Sequence, residues 1–493
     1  MVKDTKKKNI GQVFTPSFIV NEILDYCGYN GQDVLQKHII DNSCGDGAFL
    51  TEVVTRYCNA SITAGHSIEE TKKGLETYIH GIDNDVVAFN DCIGNLNKTA
   101  EIFNVTNVNW DLYNQSSLSI IKFNGLMDFV VGNPPYVRVH NLDDTYEDVK
   151  QYKFANGGMT DLYLAFFELG FNMLNNRGQL CYITPSSWLN SVAALNMRKY
   201  ILKNQTLVSL VDLGHFQAFK NATAYTIISH FSKAKNDKYF DYYTFNEKKL
   251  HRDFVEKISL DDCYIDTYFY LSTKTHLSEL RDIKTKSSNK YVSVKNGFAT
   301  LADDVFIGEN IPDSSITINV LKASTGKWYK CIYPYDKNGK PLRKEEVFAD
   351  SVIAGHFNAH KEELLKGKKE YEGWWEFGRT QALLDVSRKK MAINCLCRTS
   401  KDLKIELVRE GEGIYSGIYI VTDYNIPYET IEKILRSEDF VEYIKLLKKY
   451  KSGGYYTYNT KDVEQYINYY LTYNTPNNYV NESTISGNCP TLF

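Results

Sequence analysis

Between residues 38 and 232, short β-branched runs alternate with stretches of helical period, and no other feature restricts the fold as much. Parallel strands cannot be joined by tight turns, because each crossover needs a dozen or more residues, usually a helix. Strands are expected at 38–41, 78–83, 127–131, 178–184, 207–213 and 224–231, and another should end at Trp110-Asp111. Helices are expected at 49–57, 86–97 and 161–174, the last with apolar residues at Leu162, Ala165, Phe166, Leu169 and Phe171. An open α/β sheet of this kind holds its ligands beyond the carboxyl ends of its strands.

The alternation stops after Phe231. A polar stretch at 232–238 marks a boundary, and the remainder of the chain is aromatic and mixed in charge. With 493 residues to place, this suggests two domains, 1–240 and 241–493, the second of mixed α+β type. A hydrophobic share of 43 % with 24 % charged residues suits a globular protein with sizeable cores. The net charge of −3 argues against a generic polyanion binder, so an enzyme acting on nucleic acid would have to gather its positive charge locally. No apolar run approaches the ~18 residues of a membrane span. The Lys-rich start lacks a signal-peptide core, so a cytoplasmic protein without membrane contact is expected. The ten cysteines show no Cys-x-x-Cys pair and no zinc spacing, so no metal site is expected. The alternation from Met391 to Cys397 suggests a half-buried strand.

Two segments carry chemistry. In Asp41-Asn-Ser-Cys44-Gly45-Asp-Gly47-Ala-Phe-Leu50 an apolar strand runs into Gly-x-Gly and then a helix, which lets a ligand approach the backbone closely. Position 50 is Leu, so the third dinucleotide glycine is missing, and the acid Asp83 lies beyond the usual ~20-residue offset. An adenosine ligand without a pyrophosphate fits better. Asp83 suits ribose hydroxyls and Asp111 an adenine amino group, each ending a strand. In Asp128-Phe-Val-Val-Gly-Asn133-Pro134-Pro135-Tyr136 a buried-type strand breaks into a stiff loop with two backbone donors removed. Carbonyl oxygens and the Asn133 side chain are then free to accept both hydrogens of an aromatic amine. That favours a pyramidal nitrogen whose lone pair faces an electrophilic methyl, and it requires no general base beforehand. Tyr136 offers a stacking face.

The order of these segments resembles the gamma-type DNA adenine-N6 methyltransferases of bacterial restriction–modification systems. The resemblance covers about residues 9–232. It implies a class I S-adenosylmethionine-dependent methyltransferase, with a Rossmann-like seven-stranded sheet, S-adenosyl-L-methionine as cofactor, and a C-terminal target-recognition domain. By the same resemblance Gly11-Gln-Val-Phe-Thr15-Pro16 is similar to the N-terminal cofactor motif. Asp41, Cys44, Gly45 and Gly47 look like the first-strand motif, and Asp83 and Asp111 like the ribose- and adenine-binding acids. Asn133 to Tyr136 matches the catalytic tetrapeptide, and the segment 218–228 is similar to the one whose Phe stacks on a flipped adenine. That role goes to Phe219, with Phe216 as rival. One departure is Asn42-Ser43, where many relatives have Pro.

Residues 292–307 resemble the opening of the recognition domain. Among its basic residues (Lys322, Lys327, Arg343, Arg379, Arg388, Lys389, Lys390 and Arg398), four are the expected DNA contacts: Arg379, Arg388, Lys389 and Arg398. Gly378-Arg379 after Trp374-Trp375-Glu-Phe377 is the favoured DNA-facing cluster. The partner is then double-stranded DNA, with any restriction endonuclease on a separate chain, since only ten residues precede the Gly11 motif. Three alternatives remain: methylation of a protein amide or RNA, a fused restriction enzyme, and a catalytically dead DNA-binding subunit.

Overall fold

The computed structural model describes residues 15–139, 146–157, 160–219, 224–286, 290–366 and 373–474. The chain divides into two units, 1–278 and 279–493, a division that falls within the helix Lys274–Lys286.

The first unit is built on one nine-stranded sheet. Its strands are β1 (Ile39–Asp41), β2 (Ile79–Asp83), β3 (Asp111–Asn114), β4 (Met127–Gly132), β5 (Leu174–Pro185), β6 (Leu207–Asp212), β7 (Thr226–Ser232), β8 (Tyr239–Asn246) and β9 (His251–Ser259). They lie in the order β3-β2-β1-β4-β5-β7-β6-β8-β9. The pairs from β3 through β5 are all parallel, while β7 runs antiparallel to both β5 and β6. The first seven strands therefore form the expected sheet, and two more are added. β8 pairs in parallel with β6, and β9 returns antiparallel to it. This moves the domain division from the expected 240 to 278. The polar stretch at 232–238 is a connection within the sheet, because β8 buries Phe240 and Tyr242 and has a free edge at β6 to join.

The helices that matter for the site are α1 (Ser17–Tyr26), α2 (Ala48–Thr63), α3 (Ile68–Tyr78), α4 (Val86–Glu101), α5 (Leu162–Met173) and α6 (Leu195–Asn204). Ile19, Ile23 and Leu24 of α1, and Leu50, Val53 and Val54 of α2, enter one core with Ile39 and Val131 of the sheet. All of β1 is buried, and so is β4 from Val130 to Gly132, so both faces of the sheet are covered there. Strand order reverses between β1 and β4, the switch point outside whose strand ends open α/β sheets bind their ligands.

The second unit holds two four-stranded sheets, a three-stranded sheet of Leu396–Cys397, Tyr455–Thr457 and Tyr450–Lys451, and a helical cluster. One four-stranded sheet orders Ser293–Asn296, Ile418–Val421, Lys390–Ile393 and Ile405–Val408; the other orders Ile307–Gly308, Lys327–Ile332, Thr317–Lys322 and Gly413–Tyr415. The expected single strand from Met391 to Cys397 is two pieces, Lys390–Ile393 and Leu396–Cys397, in different sheets. Asn394 breaks it, donating through its side chain to the carbonyls of Leu396 and Asp402. Among the described residues no helix is long and apolar enough to cross a membrane.

Candidate active site

The carboxyl end of β1 and the start of α2 form a tight backbone cradle. Gly45 has φ +55° and Gly47 +88°, values that L side chains rarely adopt. A Cβ at Gly47 would lie 2.9 Å from the Cys92 sulfur of α4, so the loop is closely backed. Cys44 is buried, its N–H donating to the Ile82 carbonyl at 3.0 Å. No side chain caps the N-terminus of α2, and its first amides point out of the helix unsatisfied by it.

Asp83 ends β2 as expected. One carboxylate oxygen accepts from Gly45 N–H and the other from Asp85 N–H, both at 2.8 Å. Burial raises its pKa against these bonds. The carboxylate thus ties the glycine loop to the strand end and retains further lone pairs for a diol.

Asp111 departs from expectation. It opens β3 rather than ending it, in register with His80, three residues short of the edge. Its oxygens accept from His80 (2.6 Å), Tyr113 (2.8 Å) and Lys122 (2.9 Å). Burial alone would raise its carboxyl, but those bonds outweigh it and hold the group well below the usual range. The residue in register with Asp83 is Asn114, whose amide donates to the Asp83 carbonyl at 2.9 Å. Sequence reasoning missed Asn114; only the register between β2 and β3 identifies it.

Asp41 is 1 % exposed at the switch point. Its carboxylate accepts from Ser43 N–H at 3.0 Å and lies directly beneath Gly132, where a Cβ would approach it to 2.6 Å. Burial pushes its pKa up to about 8. Asn42, the departure from the usual Pro, is fully buried: it accepts from the Tyr182 hydroxyl at 2.9 Å and, through its carbonyl, from Ser117 at 2.6 Å.

Asn133 follows β4 directly, so Asp41, the glycine loop and the Asn-Pro-Pro-Tyr segment share one edge. The Asn133 amide donates to the Thr15 hydroxyl at 3.2 Å, joining the N-terminal motif to the tetrapeptide. The Pro16 carbonyl accepts from Ile19 and Val20 at the start of α1. Residues 11–14 lie outside the described residues. Pro134 is buried and Pro135 half-buried, and the Ser43 hydroxyl reaches the Asn133 carbonyl at 3.4 Å. The Tyr136 hydroxyl donates to the Ile183 carbonyl at 3.1 Å, and burial raises its pKa.

Phe219 and Phe216 separate clearly. Phe219 meets Tyr136 edge to face, centroids 6.1 Å apart at 70°. Phe216 packs instead against Phe18 and Phe245, at 6.0 and 4.9 Å. A base stacked on both rings would need them parallel and roughly 7 Å apart. Tyr136 is pinned by its hydroxyl, so Phe219 is the ring that would have to turn.

In the second unit Trp374, Trp375 and Phe377 are core residues, packed with Phe306, Tyr333 and Phe357. The aromatic part of the expected DNA-facing cluster is therefore interior; burying such area outweighs exposing it. Arg379 is exposed. Arg388 is bound to Asp423 (2.5 Å) and to the Thr422 carbonyl. Arg398 stacks 4.3 Å over Tyr455 and pairs with Asp402, and Lys389 sits 5.7 Å over Tyr428. Lys390 is buried, donating to the carbonyls of Asp385 and Arg388, and burial lowers its pKa to about 8. Of the four expected contacts, Arg379 alone has no internal partner among the described residues.

The chain is similar to several known proteins. Residues 54–219 match the family model described as Eco57I restriction-modification methylase. The chain is 25 % identical over 487 residues to the Type II restriction enzyme and methyltransferase RM.Eco57I of Escherichia coli, covering 76 % of this chain and 48 % of that one. It is 29 % identical over 303 residues to the Type II methyltransferase M.BstVI of Geobacillus stearothermophilus, covering 58 % and 51 %. With M.HindII of Haemophilus influenzae it shares 20 % over 489 residues, covering 91 % and 84 %. The chain thus spans about half the length of the first two relatives. Among solved structures, the Type IIL restriction-modification enzyme MmeI in complex with DNA superposes with a TM-score of 0.61 at 13 % identity, covering 93 % of this chain and 64 % of that one. The likeness is one of fold, an α/β architecture built on a large mixed sheet.

Proposed function

We propose that this chain, whose residues 54–219 match the Eco57I restriction-modification methylase model, moves a methyl group from S-adenosylmethionine to N6 of an adenine rotated out of duplex DNA. The observation that carries the reading is the placement of Asn133 to Tyr136 at the end of β4, beside the glycine cradle and the buried Asp41. The donor set suits the cofactor. The Asp83 carboxylate and Asn114, in register beside it, suit the adenosine part. The Gly45–Gly47 loop with the open start of α2 suits a carboxylate, and Asp41 suits an ammonium. S-adenosylmethionine supplies an electrophilic methyl on a sulfonium.

The chain's own part is positioning. Thr15 orients the Asn133 amide by accepting from its nitrogen, which directs the side-chain oxygen away from that contact and toward an incoming amine. That oxygen and a carbonyl of the proline pair accept the two N6 hydrogens, drawing the nitrogen lone pair out of the ring. Tyr136, held by Ile183, presents a fixed face to the base, and Phe219 turns to cover the other. After transfer the nitrogen sheds a proton to solvent, so no dedicated base is needed. This reading makes the protein a modification enzyme working on DNA in the cytoplasm.

The test is transfer of labelled methyl to unmethylated genomic DNA, with RNA and a protein extract alongside and Asn133→Ala as control. Label recovered as N6-methyladenine, lost in the variant while cofactor binding persists, is the expected result. Label on RNA or protein, or none at all, overturns the reading.

A further inference from the structure

In the second unit, the loop at 297–302 and the segment at 378–384 are fastened to each other. Gly378 N–H donates to the Thr300 carbonyl at 2.8 Å, and the Gln381 amide to the Gly297 carbonyl at 2.5 Å. Immediately after the Thr300 anchor, Leu301 has φ +60° and is 65 % exposed. A leucine in the left-handed region carries backbone strain, and an exposed one recovers no burial to offset it. The surroundings impose the conformation. The Thr300 hydroxyl accepts from Ala302 N–H at 3.1 Å and binds Asp303, fixing the chain on both sides. Gly378 leaves the leucine its place, since a Cβ there would come within 2.5 Å of Leu301 Cδ1.

The next residue, Arg379, is exposed and has no ion pair among the described residues. At the other end of the segment Leu384 is 67 % exposed, its backbone packed on the turn at Gly339. That turn carries Lys337 and Lys340, both exposed and outside any ion pair among the described residues. The acid of the turn, Asp336, is occupied by the amides of Asn338 and Lys340, and Asp385 is buried with Lys295 and Tyr419. Asp303 and Asp304, both exposed, follow Leu301 closely, so Arg379, Lys337 and Lys340 are exposed cations within a patch of mixed charge that also carries two exposed leucines.

We propose that Leu301 and Arg379 form the tip of the second unit that reads duplex DNA. Leu301 enters a groove and packs its methyls on base edges, as apolar side chains do against thymine. Arg379, with the turn at Lys337 and Lys340, neutralises phosphates on either side. The strained leucine is held in advance, so no ordering cost falls on binding. The proposal rests on the DNA-methylating reading above.

The test compares Leu301→Gly and Arg379→Ala with wild type in methyl transfer to genomic DNA and in duplex binding across a salt series. Arg379→Ala should weaken binding about tenfold and lower the salt slope by about one. Leu301→Gly, which relieves the backbone, should melt no lower than wild type and keep the salt slope, yet lose about tenfold in kcat/KM for DNA. Variants within twofold of a wild type that methylates DNA overturn this inference alone. A loss confined to Arg379→Ala overturns the role of Leu301. A wild type that methylates no DNA overturns the underlying reading as well.

Discussion

Replacing Asp41 with Asn should stabilise the ligand-free protein while weakening its grip on the cofactor. The carboxyl is 1 % exposed, its one amide donor is Ser43, and burial raises its pKa from 3.8 to about 8. An acid whose folded pKa lies above its unfolded value contributes fully at low pH and loses that contribution as pH climbs from about 4 to about 8. At pH 7 the interval above 3.8 is about 3 units, which at 1.36 kcal/mol each amounts to about 4 kcal/mol. Asparagine keeps the acceptor for Ser43 and the volume beneath Gly132 but never ionises. Melting of wild type and Asp41→Asn at pH 4, 6 and 8 reads this directly. The two should coincide near pH 4 and diverge as pH rises, the variant leading by on the order of 8 °C near pH 7. Saturating S-adenosylmethionine should narrow the gap, because an ammonium facing Asp41 favours the ionised form. A variant that melts at or below wild type at pH 8 refutes the reasoning. It would mean that the carboxylate is already stabilised in the empty site.

Phe219→Ala should raise KM for DNA about tenfold and reduce the fluorescence gain of a 2-aminopurine target, with Phe216→Ala costing stability instead; the reverse pattern moves the stacking role to Phe216. Asn114→Ala should weaken cofactor binding measured calorimetrically, whereas Asp111→Asn should lower the melting temperature and leave that affinity nearly intact, because its carboxylate serves His80, Tyr113 and Lys122. In the second unit Lys284 and Asp462 are 4 % and 5 % exposed and pair at 3.0 Å, with Lys449 also on Asp462. Lys284→Met should cost about 3 kcal/mol in urea unfolding, and Lys284→Met with Asp462→Leu should recover part of it.

Much of the first unit was legible in the chain. Strands buried on both faces leave continuous apolar runs, so β1, β2, β4 and β7 fell within a residue or two of their expected limits. Glycines that must adopt positive φ, and prolines that end a strand, declare themselves locally; the cradle at Gly45 and Gly47 and the loop at Asn133 to Tyr136 were therefore readable.

Other features depended on partners distant in sequence. Whether Asp111 or Asn114 stands beside Asp83 is a matter of register between two parallel strands, which neither strand encodes alone. β8 and β9 belong to the first unit because β6 had an unpaired edge, not because 239–259 looks like its neighbours. Trp374, Trp375 and Phe377 read equally well as a surface cluster or a core until Phe306 and Tyr333 are placed against them. Phe219 rather than Phe216 meets Tyr136 because β7 and the end of β4 bring the two together, while Phe18 and Phe245 occupy the other ring. Local backbone conformation is set by adjacent residues and so is written in the sequence. Register, sidedness and the choice between like neighbours are set by packing over long separations, which only the folded chain settles.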